Sequence, residues 1–230
     1  MGHDRMRILI INPNSDPGMT AAIQRSAEDY AGGAFEVVCR ATPGAPPFIE
    51  TYEHVIQCAP GMVQLLRENE DAFDAFVVAC HCDPNLDAMK EITAKPVVGI
   101  GEASMKMASM LGHRFSVLTT MAHSIPNKEA QVRRLHLQAC LASVKAPPAE
   151  MADASDGEKY LRAAQMALEE DMAEVIVLGC AGMAGLDRRL REALGVPVLD
   201  GVVCALILAA GLARYGLGTS KVRRYNPTTR

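Results

Sequence analysis

Phe76-Val77-Val78-Ala79-Cys80-His81-Cys82-Asp83-Pro84 is an aliphatic run that stops at a cysteine and passes into a proline-containing turn. A hundred residues later Val175-Ile176-Val177-Leu178-Gly179-Cys180-Ala181-Gly182-Met183 repeats the plan. Short apolar runs bounded by turn residues read as strands buried on both faces, and amphipathic stretches of helix length alternate with them along the chain, the pattern of β-α units around a parallel sheet. Strands are expected near 7–12, 35–39, 75–80 and 96–100, and again near 115–119, 138–144, 174–179 and 196–199. The two sets correspond: Arg7-Ile8-Leu9-Ile10-Ile11-Asn12 matches Arg114-Phe115-Ser116-Val117-Leu118-Thr119 at an offset of 107, Cys80 matches Cys180 at 100, and Pro96-Val97-Val98 matches Pro197-Val198-Leu199 at 101. Several matches at nearly constant spacing mark an internal repeat. The expected fold is therefore α/β, with two similar lobes, each a four-stranded mainly parallel sheet flanked by helices. The lobes span 1–100 and 101–205 and are related by an approximate two-fold axis, with a site between them. A last helix at 202–216 packs back on the first lobe, and 217–230 form a basic tail.

Composition narrows the function classes. Of 230 residues, 49% are hydrophobic and 22% charged, and the net charge of −4 gives no concentrated basic surface for nucleic acid. The one basic cluster, Lys221, Arg223, Arg224 and Arg230, is read as a solvated or subunit-contacting tail. No apolar run reaches the roughly 18–20 residues that cross a bilayer, and Met1-Gly2-His3-Asp4-Arg5 leads into a strand without the apolar stretch of a signal peptide. A cytoplasmic protein with no membrane partner is expected. Seven cysteines (39, 58, 80, 82, 140, 180, 204) are an odd count lying mostly in apolar segments, as packed thiols rather than a disulfide framework. The apolar last helix and the tail make a homo-oligomer the expected assembly.

The joints between elements carry further signals. Asp16-Pro17 and Asp83-Pro84 each place a capping side chain ahead of a proline suited to the first helical position. Pro126 near the start of 127–137 and Gly-Leu-Gly at 216–218 read as a helix start and stop. The Pro-rich segment 42–50 is a loop whose apolar tip, Phe48 and Ile49, either covers a pocket or packs on its own lobe. No Gly-rich dinucleotide fingerprint follows the first strand and no P-loop pattern occurs. Ligands of an open parallel sheet still bind beyond the carboxyl ends of its strands, where Asn12, Asn14, Cys80, Thr119, Thr120 and Cys180 fall.

If the two sets of strand ends face one cleft, Cys80 and Cys180 stand on opposite sides of a bound molecule. One can remove a proton from one face of a carbon while the other supplies a proton to the opposite face, which inverts the centre. Cysteine suits this work because an ordinary thiol pKa of about 8.5 is lowered by helix N-termini, and each cysteine precedes an expected helix start. Asn14, Thr119, Thr120 and the amides of 181–183 are the donors for the charge that builds on a carbonyl oxygen. Racemisation or epimerisation without a cofactor follows from this reading.

At these residues the chain resembles a known family. Ile-Asn-Pro-Asn-Ser with Gly-Met-Thr behind it (11–15, 18–20), Ala-Cys-x-x-Asp-Pro (79–84), Pro-Val-Val-Gly-Ile-Gly-Glu-Ala (96–103), Val-Leu-Thr-Thr (117–120) and Gly-Cys-Ala-Gly-Met (179–183) are similar to the Asp/Glu/hydantoin racemase superfamily, and most similar to its hydantoin and allantoin racemase branch. The similarity spans about residues 6–205. It implies a two-lobed α/β fold, no cofactor, Cys80 and Cys180 as the catalytic pair, Asn14, Ile49, Thr119, Thr120, Ala181 and Gly182 as substrate-binding residues, and a five-membered cyclic ureide as substrate. The chain departs from the family pattern at Cys82, where a small residue such as glycine is expected, and at Phe48, where serine is expected; with His81 these are read as pocket-wall residues.

Other readings stand beside this one. An aspartate or glutamate racemase, or a decarboxylase or isomerase using one thiol, would keep the scaffold. Retention of both cysteines speaks against the one-thiol enzymes. A non-catalytic small-ligand-binding protein would predict loss of one of them. Cys80-His81-Cys82 lacks the four-ligand spacing of a zinc site, so no metal is expected. His54 and His123 are read as packed or surface residues near the site, Asp16 and Asp83 as helix caps, and Met105, Met107 and Met110 as helical core or interface.

Overall fold

The computed structural model describes residues 5–226, and the chain divides into two compact units: residues up to Ile100 together with those from Ala205 onward, and Gly101–Cys204. The first unit is built on β1 (Arg7–Asn12), α1 (Pro17–Ala31), β2 (Glu36–Ala41), α2 (Tyr52–Asn69), β3 (Ala75–Val78), α3 (Leu86–Ile92) and β4 (Val97–Gly99). Its strands are all parallel in the order β2-β1-β3-β4. α4 (Ile100–Leu111) carries the chain into the second unit, where β5 (Phe115–Leu118), α5 (Ile125–Arg134), β6 (Leu141–Lys145), α6 (Asp156–Glu170), β7 (Val175–Leu178), α7 (Asp187–Leu194) and β8 (Val198–Leu199) follow. That sheet has the same arrangement, parallel in the order β6-β5-β7-β8. The helix α8 (Gly201–Tyr215) closes the chain's regular structure.

The central strands read as continuous apolar runs because both their faces are covered. β3, β5 and β7 are buried at every residue, and β1 from Ile8 onward. In the first unit Leu9, Ile11, Phe76 and Val78 pack with Cys58, Met62 and Leu66 of α2 and Met89 of α3. In the second, Leu118, Ile176 and Leu178 pack with Tyr160, Ala163, Ala164 and Ala167 of α6 on one side. Phe115, Val117, Val175 and Val177 pack with Met105 and Ala108 of α4 and Val132 of α5 on the other. Met105 is thus core, as the sequence suggests, while Met110 is exposed.

Some joints match the sequence reading and others correct it. Asp16 caps α1, its Oδ1 accepting the Met19 N–H at 2.6 Å, with Pro17 in the first turn, and Gly32 ends the helix in the left-handed region. Pro126 lies in the first turn of α5, and Gly216, at φ 77°, stops α8. β6 begins only at Leu141, because Gln138–Cys140 form a tight helical turn in place of the expected start at 138. Asp83-Pro84 is not a helix start. Asp83 (φ 50°) and Asn85 (φ 57°) are both left-handed, and α3 begins at Leu86 with no side-chain cap. An N-cap residue takes extended backbone, as Asp16 does before Pro17, whereas Asp83 is left-handed in the turn that its N–H closes on the Cys80 carbonyl.

The basic tail is neither purely solvated nor independent. Thr219 N–H donates to the Ala94 carbonyl at 2.8 Å, and the Lys221 ammonium donates to the Lys90 and Glu91 carbonyls at the end of α3, at 2.7 and 2.9 Å. A cation there complements the negative end of the helix. Arg230 lies outside the described residues. Among the described residues no helix is long and apolar enough to cross a membrane.

Candidate active site

The sequence-predicted residues sit where each unit's strands end. In the first unit, Asn12 closes β1 and its amide donates to Asn14 Oδ1 (2.7 Å) and Thr20 Oγ1 (2.9 Å); Asn14 Oδ1 also accepts from the Asp16 N–H, and Asn14 Nδ2 points to Met19 Sδ at 3.1 Å. The neighbouring Thr42 donates through its hydroxyl and its N–H to the Asn12 carbonyl. Buried amides satisfied in this way are held in one orientation.

Cys80 follows β3. Its carbonyl accepts the Asp83 N–H at 2.9 Å, which closes a β-turn over Cys80, His81, Cys82 and Asp83. His81 is buried, Cys80 and Cys82 are half-buried, and their sulfurs are 3.4 Å apart. The turn is tied to α2 through Asn85, whose Nδ2 donates to the Val55 carbonyl at 2.9 Å and lies 3.5 Å from Cys58 Sγ. Burial first, and then the nearby Cys80, push the Cys58 thiol up to about 11. Of the loop tip, Ile49 packs against its own unit's core while Phe48 is 56% exposed. His54 makes a local contact, its Nδ1 facing the Glu50 N–H at 3.3 Å.

In the second unit Thr119 is buried at the end of β5, with its N–H donating to the Lys145 carbonyl (2.8 Å) and its hydroxyl 2.5 Å from that of Ser124. Thr120 and His123 are exposed. Gly179 brings β7 against β5: its N–H donates to the Leu118 carbonyl at 2.8 Å, and a Cβ on it would lie 2.1 Å from that oxygen. Cys180 then caps a three-residue helical turn, Ala181–Met183, with its sulfur accepting the Gly182 N–H at 3.4 Å. Ala181 is buried and Gly182 exposed.

Neither cysteine stands at the start of an α-helix, contrary to the sequence expectation, since α3 and α7 begin only at Leu86 and Asp187. Cys180 has a local donor in the Gly182 N–H, at 3.4 Å from its sulfur.

Three contributors escape a reading of the sequence. Ser124 holds the Thr119 hydroxyl. Tyr160 of α6 lies near Cys180, and burial with the charges of Asp156 and Cys180 pushes its phenol up to about 12. Asp200 ties the start of α8 to the loop after Cys180: Oδ1 accepts the Val202 N–H at 2.8 Å and Oδ2 the Gly185 N–H at 3.2 Å. Its counterpart in the repeat is Gly99, and there a Cβ would lie 2.2 Å from Asp83 Oδ1. One carboxylate thus fills the junction between cysteine loop and last strand in each unit, supplied by the loop in the first and by the strand end in the second. Among the described residues no group of three or more His, Cys, Asp or Glu side chains is arranged to hold a metal ion.

Comparison with known proteins places this arrangement. The family described as Asp/Glu/Hydantoin racemase matches residues 8–209. A hydantoin racemase of Pseudomonas sp. (strain NS671) is 38% identical over 226 residues, which cover 96% of this chain and 91% of that protein. The allantoin racemase of Pseudomonas fluorescens superposes with a TM-score of 0.89 at 35% identity, covering 96% of both chains. That of Klebsiella pneumoniae superposes with a TM-score of 0.88 at 33% identity, covering 96% of this chain and 92% of the other. The family match and these likenesses in sequence and fold agree, and the chain belongs to the Asp/Glu/hydantoin racemase family as an isomerase of racemase type.

Proposed function

We propose that this racemase acts without a cofactor on a hydantoin-type cyclic ureide, a 5-substituted hydantoin or allantoin, with Cys80 and Cys180 as its two acid/base groups. The observation that carries the reading is the equivalence of the two cysteines: each follows the third strand of its sheet, half-buried, at the head of a tight turn. In the reaction one cysteine, as thiolate, takes the proton from C5. The electron pair of the broken C–H bond moves onto the adjacent ring carbonyl. The other cysteine, as thiol, returns a proton to the opposite face, and the next turnover in the reverse direction restores the starting protonation. The acidity of a C–H beside a ring carbonyl brings this within reach of a thiolate, whose usual pKa is about 8.5.

The developing enolate oxygen needs donors placed before the charge appears. Asn14, Thr119, Thr120 and the backbone amide of Ala181 are suited to this, since Thr119 and Asn14 are held by Ser124 and Asn12, while the Gly182 N–H faces the Cys180 sulfur. Ile49 supplies an apolar wall for the C5 substituent, with Phe48, His81 and Cys82 shaping the pocket where the chain departs from the family pattern. The likeness to a hydantoin racemase and to two allantoin racemases supports the ureide class.

The test follows loss of optical activity and deuterium uptake at C5 of enantiopure hydantoins and allantoin in heavy water, beside aspartate and glutamate. Cys80→Ala and Cys180→Ala are each expected to racemise the ureide at least ~10²-fold more slowly. Wild-type speed in either variant would sink the two-thiol mechanism. Activity confined to the acidic amino acids would sink the substrate assignment.

A further inference from the structure

The Cys80 and Cys82 sulfurs lie 3.4 Å apart across the turn closed by Asp83. In the second unit the residue two places after the cysteine is Gly182, whose N–H points at the Cys180 sulfur. This position faces the catalytic sulfur in both units, but in the first it presents a second thiol. Both thiols are half-buried, and the turn that holds them is anchored on both sides, by β3 and by the bond from Asn85 to Val55. A disulfide has its sulfurs at about 2.05 Å, so rotation of side chains already in contact closes most of the gap. Cys58, the other thiol behind the turn, is fully buried beside Asn85 and Met62, and its thiol is pushed up to about 11, which suppresses its thiolate.

We propose that Cys80 and Cys82 are a reversible oxidation site, at which a hydroperoxide converts the pair to a disulfide that takes Cys80 out of catalysis and shields it from irreversible oxidation. The Cys80 thiolate attacks one peroxide oxygen. An S–O bond forms as the O–O bond breaks, the sulfur is oxidised by two electrons and hydroxide leaves, to be protonated to water when hydrogen peroxide is the oxidant. The Cys82 sulfur then attacks the sulfenic sulfur. The S–S bond forms, the S–O bond breaks, and the leaving hydroxide combines with the Cys82 proton as a second water. Two thiols and one hydrogen peroxide thus give one disulfide and two waters. A dithiol reductant reverses the change by exchange.

The tryptic peptide Glu68–Lys90 contains both cysteines and no other. After brief treatment of the whole protein with hydrogen peroxide, this peptide is expected to lose two hydrogens in mass and to resist iodoacetamide at both positions until dithiothreitol is added. The wild type is expected to lose racemisation and regain it fully with dithiothreitol. Cys82→Ala, measured against its own untreated rate, is expected to stay inactive and to gain two or three oxygens on Cys80. Recovery of Cys82→Ala equal to that of the wild type, or a disulfide joining Cys80 to Cys58 or Cys180 instead, overturns the proposal. If Cys82→Ala does not fold, the wild-type peptide decides alone. Only the activity readout rests on the catalytic reading of Cys80: a disulfide formed in a protein that does not racemise ureides leaves the oxidation site standing and removes the proposed function.

Discussion

At Gly179 a single missing methyl decides where the Cys180 sulfur stands. The β7 backbone approaches β5 so closely that a Cβ would meet the Leu118 carbonyl oxygen at 2.1 Å and Val117 Cγ1 at 2.9 Å. The nearer of these atoms is backbone, so relief requires a shift of the strand rather than of a rotamer. Gly179→Ala is expected to cost about 1–3 kcal/mol, the usual range for overpacking a tight interior, and to displace Cys180, the next residue, from the Gly182 N–H. The expected outcome is a lower urea midpoint together with a lower kcat, while a variant with unchanged midpoint and rate would show that the strands part without consequence. The Gly182 donor itself tolerates no such test by side-chain replacement, because it is backbone.

At the scale of elements, two turns with the same task are built from different parts. After β3 the loop supplies Asp83 and the strand end supplies the space, Gly99; after β7 the strand end supplies Asp200 and the loop supplies an amide, Gly185. Asp200 performs two jobs that substitutions can separate. Asp200→Ala removes both the cap of α8 and the anchor of the Cys180 loop, and is expected to lower stability by about 1–2 kcal/mol and kcat by more than that loss of folded protein explains. Asp200→Asn keeps an oxygen for the Val202 N–H and turns the other position into an amide donor, so it should retain most of the stability and still lose activity. Equal losses in the two variants, measured by urea unfolding and by initial rates at saturating ureide, would reduce Asp200 to a helix cap. The strands were legible in the sequence because a parallel strand covered on both faces can hardly be anything but an apolar run, and the repeat placed four of them twice. The turns were not. Asp16-Pro17 and Asp83-Pro84 read alike, yet only the first caps a helix; the second lies in a turn with left-handed backbone at Asp83, whose carboxylate sits beside Gly99 of β4 and whose neighbour Asn85 bonds to α2, both far away in sequence. For the same reason Cys82 reads as a wall residue, and its approach to Cys80 emerges only once the turn is known.

Across the whole molecule the seven cysteines show position overruling residue type. Cys80 and Cys180 hold equivalent places because two sheets of the same strand order each carry a cysteine after the third strand, whereas Cys58 and Cys204 are buried thiols and Cys39 is a half-buried one on β2. Burial is the leading cause in all three, and it pushes Cys39 and Cys204 up to about 12 and Cys58 up to about 11. The consequence for stability has a definite sign. Well below the ordinary thiol pKa of about 8.5 these thiols are neutral in both the folded and the unfolded chain, and their packing contributes in full. As pH rises through that value, the unfolded chain releases protons that the folded chain still holds, so the unfolded state binds fewer protons and stability falls. The loss continues until the folded thiols ionise in turn, near 11 for Cys58 and near 12 for the other two. Urea midpoints should therefore decline from about pH 8.5 to about pH 10.5 more steeply in the wild type than in the Cys39→Ala/Cys58→Ala/Cys204→Ala variant. The variant is expected to start lower at the acid end of this range, because the buried sulfurs of Cys58 and Cys204 and the half-buried one of Cys39 are gone, but to lie on a flatter curve. Parallel curves would mean that the alkaline loss comes from other groups, such as the Lys145 ammonium, which pairs with Glu170 and Asp171 and would give up those bonds at high pH in both proteins.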